Sequence, residues 1–285
     1  MVRSILCCPG HREEMIDRAL VEGADMVLLD LEDGVPEDRK EEARRVVRRA
    51  IVRHAAPTPG PGLFLCQLAV RVNGVESLHF GADISMLRNV GFSGWLWLPK
   101  VEDPDDLRIL DRALGFEGDQ GRQDEALDVR VCALVESPAG LARVRELEVD
   151  ALAFGRCDFL AAAGISERQD ALVEHAQLQI ALAARAAGIP CWDAPCYRGK
   201  DYLDVEIDFA LRAGFTGKGC LSPAQIEPVN NAFSVPFAEI NRAQMILRAA
   251  RESLEAVAKL GEDDILSPPT RRWAEALLAR VEVSA

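Results

Sequence analysis

Histidine is scarce in this chain, and basic charge is in deficit. Four histidines in 285 residues, none beside a recognisable dyad partner, leave Cys157 without the base that a cysteine nucleophile needs. The balance of 33 basic against 46 acidic residues gives a formal charge of −13. That excludes nucleic acid as a partner, since its binding requires a concentrated basic surface, and it excludes electrostatic attachment to an anionic membrane. No apolar run reaches the ~20 residues of a membrane-spanning helix. The opening MVRSILCCPGH is too short for an export signal. No C-x-x-C pair occurs among the eight cysteines, so zinc-ribbon and thioredoxin spacings are absent. The expectation is a soluble cytoplasmic protein whose cysteines are buried free thiols in a reducing compartment.

What is present is apolar residue in quantity, 49% of the chain, enough for a large core without disulfides or structural metal. The stretch Val131–Leu160 organises the rest. Its apolar run Val131–Val135 reads as a buried strand ending at Glu136, and Pro138 suits the first turn of a helix. A second run, Val149–Phe154, ends at Gly155-Arg156-Cys157-Asp158. Strand, helix, strand makes a βαβ unit with parallel neighbouring strands about 4.8 Å apart. Glu136 and Asp158 then emerge at the same sheet end. Two convergent carboxylates with little compensating charge suit a hard divalent cation such as Mg²⁺; taken singly, each acid need only follow a strand into solvent or cap a helix.

The alternation extends along the chain. Strands are expected at Ser4–Cys7, Met26–Leu31, Phe64–Val72, Trp95–Leu98, Val131–Val135, Val149–Phe154, Ile189–Asp193 and Gly217–Leu221. Between them fall helices, among them 12–22, 37–54, 78–88, 170–187 and 202–213. Eight strand-then-helix units predict an α/β fold, a (β/α)₈ TIM barrel over residues 1–233. A doubly wound sheet is the alternative, but no G-x-G-x-x-G or P-loop follows any strand. Residues 234–285 are predicted as a C-terminal helical extension, with helices near 237–260 and 270–281 joined by GEDDILSPP. Active sites of such barrels lie at the C-terminal strand ends. There the sequence places Glu32, Asp33, Arg71, Lys100, Glu136, Asp158 and Asp193, five acids and two cations that together mark a polar site.

Seven motifs carry a resemblance: RSILCCPGHREEM, DLEDGVPEDRKEEAR (Asp30–Arg44), RVNG (Arg71–Gly74), LPKVED (Leu98–Asp103), ESPAGL (Glu136–Leu141), FGRCD (Phe154–Asp158) and GFTGKGCLSPAQI (Gly214–Ile226). In this order and spacing the chain resembles the citrate lyase beta subunit and the malyl-CoA and citramalyl-CoA lyases of the HpcH/HpaI aldolase superfamily. The resemblance implies Mg²⁺ held by Glu136 and Asp158, and Arg71 binding substrate oxygens and stabilising an acyl-thioester enolate. It also implies Glu32 and Asp33 as an acidic pair near the metal, and Arg12 and Lys40 near the phosphates of the thioester carrier. The implied reaction is carbon–carbon cleavage of a 3-hydroxyacyl thioester, carried on CoA or an acyl carrier protein. A homo-oligomer, trimer or hexamer, is implied too, with the C-terminal arm covering a neighbour's barrel mouth.

Two positions depart from the pattern. The family's C-terminal Asp, an acid/base group, is Ser267 here, and a histidine common before Pro223 is Ser222. A lone hydroxyl is no general base near neutral pH, so Asp263 or Asp264 is the candidate substitute. The readings are therefore a Mg²⁺-dependent lyase or thioesterase, an aldolase on a free keto acid, and a catalytically reduced homologue serving as a subunit. The run Arg44–Arg49 reads as a solvated helix face paired with Glu41 and Glu42, and Trp95 and Trp97 as core or interface filling.

Overall fold

The computed structural model describes residues 1–55, 66–115, 127–166, 170–252, 257–260 and 264–282. Eight parallel strands close into a barrel in sequence order. They are β1 (Ser4–Pro9), β2 (Met26–Asp30), β3 (Gln67–Arg71), β4 (Gly94–Leu98), β5 (Val129–Val135), β6 (Ala151–Phe154), β7 (Cys191–Asp193) and β8 (Gly217–Cys220), with β8 pairing back onto β1. The helices outside them are α1 (Glu13–Ala19), α2 (Lys40–Ala55), α3 (Phe80–Val90), α4 (Pro104–Leu114), α5 (Pro138–Arg143), α6 (Arg156–Ala163), α7 (Asp170–Ala187), α8 (Lys200–Ala213) and α9 (Ile226–Phe233). Strands covered on both faces read as near-continuous apolar runs; β2 and β6 are buried at every position, with Asp30 at the end of β2 the one charged residue among them.

Inward-facing residues fill the barrel, so it is a packed core rather than a channel. Met26 and Leu28, Trp95 and Trp97, Cys132 and Leu134, and Trp192 pack together. The Trp192 ring stacks on Trp97 with centroids 5.4 Å apart and meets Trp95 edge-on at 5.0 Å. Trp95 and Trp97 are thus core residues. All eight cysteines are free, and only Cys157 is exposed.

The chain divides into two compact units, Val2–Ala232 and Phe233–Ala285, the second including Met1. The second holds α10 (Phe237–Glu252), β9 (Ala258–Leu260), β10 (Asp264–Leu266) and α11 (Pro268–Glu282), built around Ala243, Ile246, Leu266, Ala274 and Leu277. The helix expected to reach Leu260 ends at Glu252, because 258–260 pair antiparallel with 264–266. The expected start of the third strand at Phe64 and the polar loop over 116–126 lie outside the described residues. Helix α6 was not expected; it makes Asp158 a first-turn helical residue instead of one beyond a strand end. The Arg44–Arg49 face pairs more widely than Glu41 and Glu42. Arg49 reaches Glu13 on α1 at 2.6 Å and Arg44 reaches buried Asp83 on α3 at 3.1 Å. Among the described residues no helix is long and apolar enough to cross a membrane.

Candidate active site

Strands β2 and β3 run in register so that Asp30 lies beside Arg71. Asp30 is buried and receives both Nε and Nη2 of Arg71 at 2.7 Å, a bidentate pair. Its oxygens also accept the Glu32 and Gly34 amides. A Cβ on Gly34 would lie 2.3 Å from Asp30 Oδ2, so only glycine admits this loop. Burial pushes the Asp30 carboxyl up, but the Arg71 charge and these hydrogen bonds together hold it below the usual range. Arg71 keeps its charge at any working pH for the same reason. Its Nη1 lies 3.0 Å from buried Glu32, whose other oxygen is 2.6 Å from Lys100. The guanidinium is therefore fixed in direction before any substrate arrives.

Glu136 stands where β5 ends. Ser137 caps α5 by accepting the Gly140 amide at 3.1 Å, and Pro138 opens that helix, so the chain turns immediately after the carboxylate. Glu136 Oε1 accepts the Lys100 amide at 2.7 Å. That amide is aimed by a left-handed backbone, φ 54° at Lys100, a conformation uncommon outside glycine and found at functional sites. Glu136 Oε2 lies over Gly155, where a Cβ would come within 2.4 Å of it. Burial, then the charges of Asp158 and Glu32, push the Glu136 carboxyl up to about 8. Arg71 lowers this carboxyl, but by less than burial and the neighbouring acids raise it, and a buried carboxyl facing further acids fits a divalent cation. No group of three or more acidic, histidine or cysteine ligands occurs among the described residues. An all-oxygen pair suits Mg²⁺, which takes one or two carboxylates and keeps several waters.

Two cavities meet at these residues. One of about 470 Å³ is lined by Asp30, Asp33, Arg71, Glu136 and Asp158, with Cys7, Leu28, Trp97, Leu134 and Phe154 among its apolar walls. The other, about 800 Å³, also touches Asp33, Glu136 and Asp158 and continues past Glu37, Glu76, Glu102 and Asp106. Arg71, Glu136, Asp158 and Asp33 thus line one cavity, and Glu32 lines the larger one. Lys100, half exposed, is held charged up to about 12; burial opposes this, but Glu32, Asp33 and Glu136 outweigh it.

Lys40 requires a correction. It is buried, and its ammonium donates to Leu31 O, Glu32 O and Asn73 Oδ1, each at 2.8 Å. Two of its three donors are spent on the loop bearing Glu32 and the third on Asn73 beyond β3, so Lys40 braces the site and has no proton left for a carrier phosphate. Arg12 is exposed between cavity-lining Pro9 and Met15, with Nε on His11 at 3.1 Å. Asp193 is buried and tied to Lys218 at 2.6 Å and to Gln177 at 2.7 Å. Ser267 lies at the start of α11, where the Thr270 amide donates to its hydroxyl at 3.3 Å. Asp264 falls in β10, and Asp263 lies outside the described residues.

Sequence reasoning missed Asp30 as the clamp of Arg71. The signal was present, since Asp30 ends β2 as Arg71 ends β3, but only the register shows that they are neighbours. It also missed the Trp97 indole N–H, buried without a partner beside the smaller cavity.

A closed parallel barrel with a carboxylate pair facing a pre-aimed arginine at its C-terminal strand ends defines the class, a (β/α)₈-barrel enzyme. The chain belongs to the HpcH/HpaI aldolase/citrate lyase family, whose profile matches residues 3–223. A citrate lyase subunit beta-like protein of Deinococcus radiodurans is 30% identical over 259 residues, covering 88% of this chain and 86% of its own. The mitochondrial citramalyl-CoA lyase of Rattus norvegicus is 29% identical over 267 residues, covering 88% and 76%. The crystal structure of CitE from Mycobacterium tuberculosis in complex with magnesium, acetoacetate and coenzyme A superposes with a TM-score of 0.74 at 26% identity, covering 98% of this chain and 97% of that one.

Proposed function

We propose that this protein is a Mg²⁺-dependent carbon–carbon lyase that cleaves a 3-hydroxyacyl thioester of the malyl, citramalyl or citryl type into a keto acid and an acyl thioester. The observation carrying this reading is the single cavity in which fixed Arg71 faces Glu136 and Asp158. Bound there, Mg²⁺ supplies Lewis-acid stabilisation of charge on substrate oxygens. Glu136 and Asp158 are the residues that would hold it. Arg71 directs its remaining N–H groups at the thioester oxygen, where negative charge gathers as the bond between Cα and Cβ breaks. Because Asp30 fixes the guanidinium beforehand, little reorganisation accompanies that charge. Glu32 and Lys100 hold one another and keep the acidic loop beside the metal.

Arg12 at the cavity rim is the residue proposed to meet the carrier's phosphates, and CoA or an acyl carrier protein is the proposed carrier. The arm, 234–285, is proposed to cover the barrel mouth of a second copy in a homotrimer or hexamer. Its exposed Phe237, Met245 and Ile265 support a docking role; a monomer by light scattering at micromolar concentration rules it out. Eight free thiols support a cytoplasmic location. A reduced-activity reading is favoured by one observation, the use of the Ser267 hydroxyl in capping α11.

The test is a panel of malyl-, citramalyl- and citryl-thioesters assayed with Mg²⁺ and with chelator. Keto acid released in the presence of Mg²⁺ and abolished by chelator is expected for at least one. No metal-dependent release from any of them overturns the reading, and keto-acid exchange without a thioester selects the free-acid aldolase.

A further inference from the structure

We propose that Tyr197 is a catalytic residue of this site, donating its phenolic proton to the substrate carbon left when the bond between Cα and Cβ breaks. The inference rests on the lyase reading above and supplies the proton-handling group which that reading lacks. Ser267 Oγ is committed to its cap, so a donor must come from elsewhere.

The loop after β7 is built to present Tyr197. Wholly buried Lys218 on β8 grips the loop's root, donating to Asp193 Oδ2 and to Ala194 O at 2.6 Å each. Gln177 holds the other Asp193 oxygen at 2.7 Å. On one side of Tyr197, Gln225 donates to Cys196 O at 3.1 Å. On the other, Arg198 is bound to Glu206 at 3.1 Å and lies over the Tyr202 ring, 4.4 Å from its centroid. Both flanking residues are pinned, and Tyr197 projects between them into the wall of the cavity that Arg71, Glu136 and Asp158 also line.

The Tyr197 ring is largely exposed, but its hydroxyl feels Cys7, Cys157, Arg71 and Asp158. Among the described residues that hydroxyl has no hydrogen-bond partner. A phenol ordinarily loses its proton only near pH ~10; here desolvation first, with Cys7, Cys157 and Asp158 adding to it and Arg71 opposing, pushes it up to about 12. It is therefore a donor throughout the working range, which an acid for this step must be.

The step balances as follows. The substrate's β-hydroxyl loses its proton to water, the bond between Cα and Cβ breaks, and its electron pair passes to the acyl thioester. The phenol O–H breaks and a C–H bond forms at Cα, giving the free acyl thioester. The phenolate, with Arg71 near it, then takes a proton from water. In reverse, the same phenolate removes a Cα proton from the acyl thioester.

The chain has two tyrosines, so fluorotyrosine labelling gives two ¹⁹F signals, assigned with Tyr202→Phe. Saturating Mg²⁺, acetoacetate and coenzyme A should shift the Tyr197 signal and leave that of Tyr202 in place. An unmoved Tyr197 signal, with ligand binding verified by calorimetry, overturns the proposal. In Tyr197→Phe, kcat for cleavage and Mg²⁺-dependent hydrogen–deuterium exchange at Cα of acetyl-CoA should both fall at least a hundredfold, with KM changed less than threefold. Loss of less than threefold in both overturns the proposal, as does a rise in KM alone. If the wild-type protein neither cleaves nor exchanges, the lyase reading fails and the proton-donor role fails with it. The fluorine spectrum then decides separately whether Tyr197 contacts ligand.

Discussion

Replacing Glu136 with Gln should stabilise the metal-free protein, and by an amount that grows with pH. In the folded chain burial, Asp158 and Glu32 raise this carboxyl from 4.5 to about 8, while in the unfolded chain it returns to the ordinary value. A folded value above the unfolded one contributes stability that is complete below pH 4.5 and is lost as pH rises through 8. The loss runs at about 1.4 kcal/mol per pH unit between those limits, so it reaches about 3 kcal/mol at pH 7. Gln does not ionise, and its side-chain oxygen can still accept the Lys100 amide. The variant should therefore escape the loss entirely.

The assay is thermal unfolding of both proteins at pH 5.5 and 7.5, in chelator and in excess Mg²⁺. Between these pH values the gap in chelator should widen by roughly 2–3 kcal/mol, about 5 °C in Tm at the ~2 °C per kcal/mol expected for a chain of this size. Mg²⁺ should restore the wild-type protein at pH 7.5, releasing close to one proton per ion, and should do far less for the variant. Parallel pH profiles in chelator, or equal stabilisation of both proteins by Mg²⁺, would show that Glu136 is neither a strained acid nor a metal ligand.

Asp30→Asn removes the bidentate partner of partly buried Arg71 and should cost about 3 kcal/mol of stability as well as most activity; urea denaturation giving under 1 kcal/mol would refute the clamp. Lys218→Met should cost a similar amount by stranding Asp193 and Glu206, and adding Asp193→Asn should recover part of it, which a double-mutant cycle reads directly. Ser267→Ala should cost about 1 kcal/mol as a lost helix cap and change kcat less than threefold; a hundredfold fall would assign the serine a chemical role.

The barrel was legible because strands covered on both faces are mostly apolar. Val131–Val135 and Met26–Leu29 read as apolar runs whatever the helices between them do. Helix α6 was missed because Arg156-Cys157-Asp158 follows a strand as a turn would and the helix is only eight residues long before Gly164 ends it. The first helix of the arm was expected to run too far for a different reason. The segment Leu254–Leu260 carries alanine, glutamate and lysine at helix-like density, but part of it, 258–260, pairs with 264–266; tertiary pairing overrides a weak propensity. Within the site, Glu136 and Asp158 could be read as neighbours from a βαβ spacing, since register along a sheet is a local property. The fate of Lys40 could not. A lysine facing solvent and one folded beneath its own loop leave the same mark in sequence, and only the positions of Leu31 O, Glu32 O and Asn73 tell them apart.

Charge at the site follows from the same arrangement. Asp30, Glu32, Asp33 and Asp158 stand against Arg71 and Lys100, a formal excess of two negative charges even when Glu136 keeps its proton. Asp30 spends its charge on Arg71, Glu32 shares its own between Arg71 and Lys100, and Lys100 also reaches Asp33 at 3.5 Å, so the least compensated acid of the four is Asp158, beside Glu136. On the proposed reading, a dianionic or more highly charged thioester approaching that cavity would meet repulsion, and a divalent ion held between Glu136 and Asp158 would remove it. The ion's charge would then make an acidic site hospitable to an acidic substrate, and by linkage the substrate would tighten the ion by the same factor. The acids that make the empty cavity costly are the ones that couple the two ligands. Arg71, neutralised in advance by Asp30 and Glu32, contributes direction to substrate binding more than net charge.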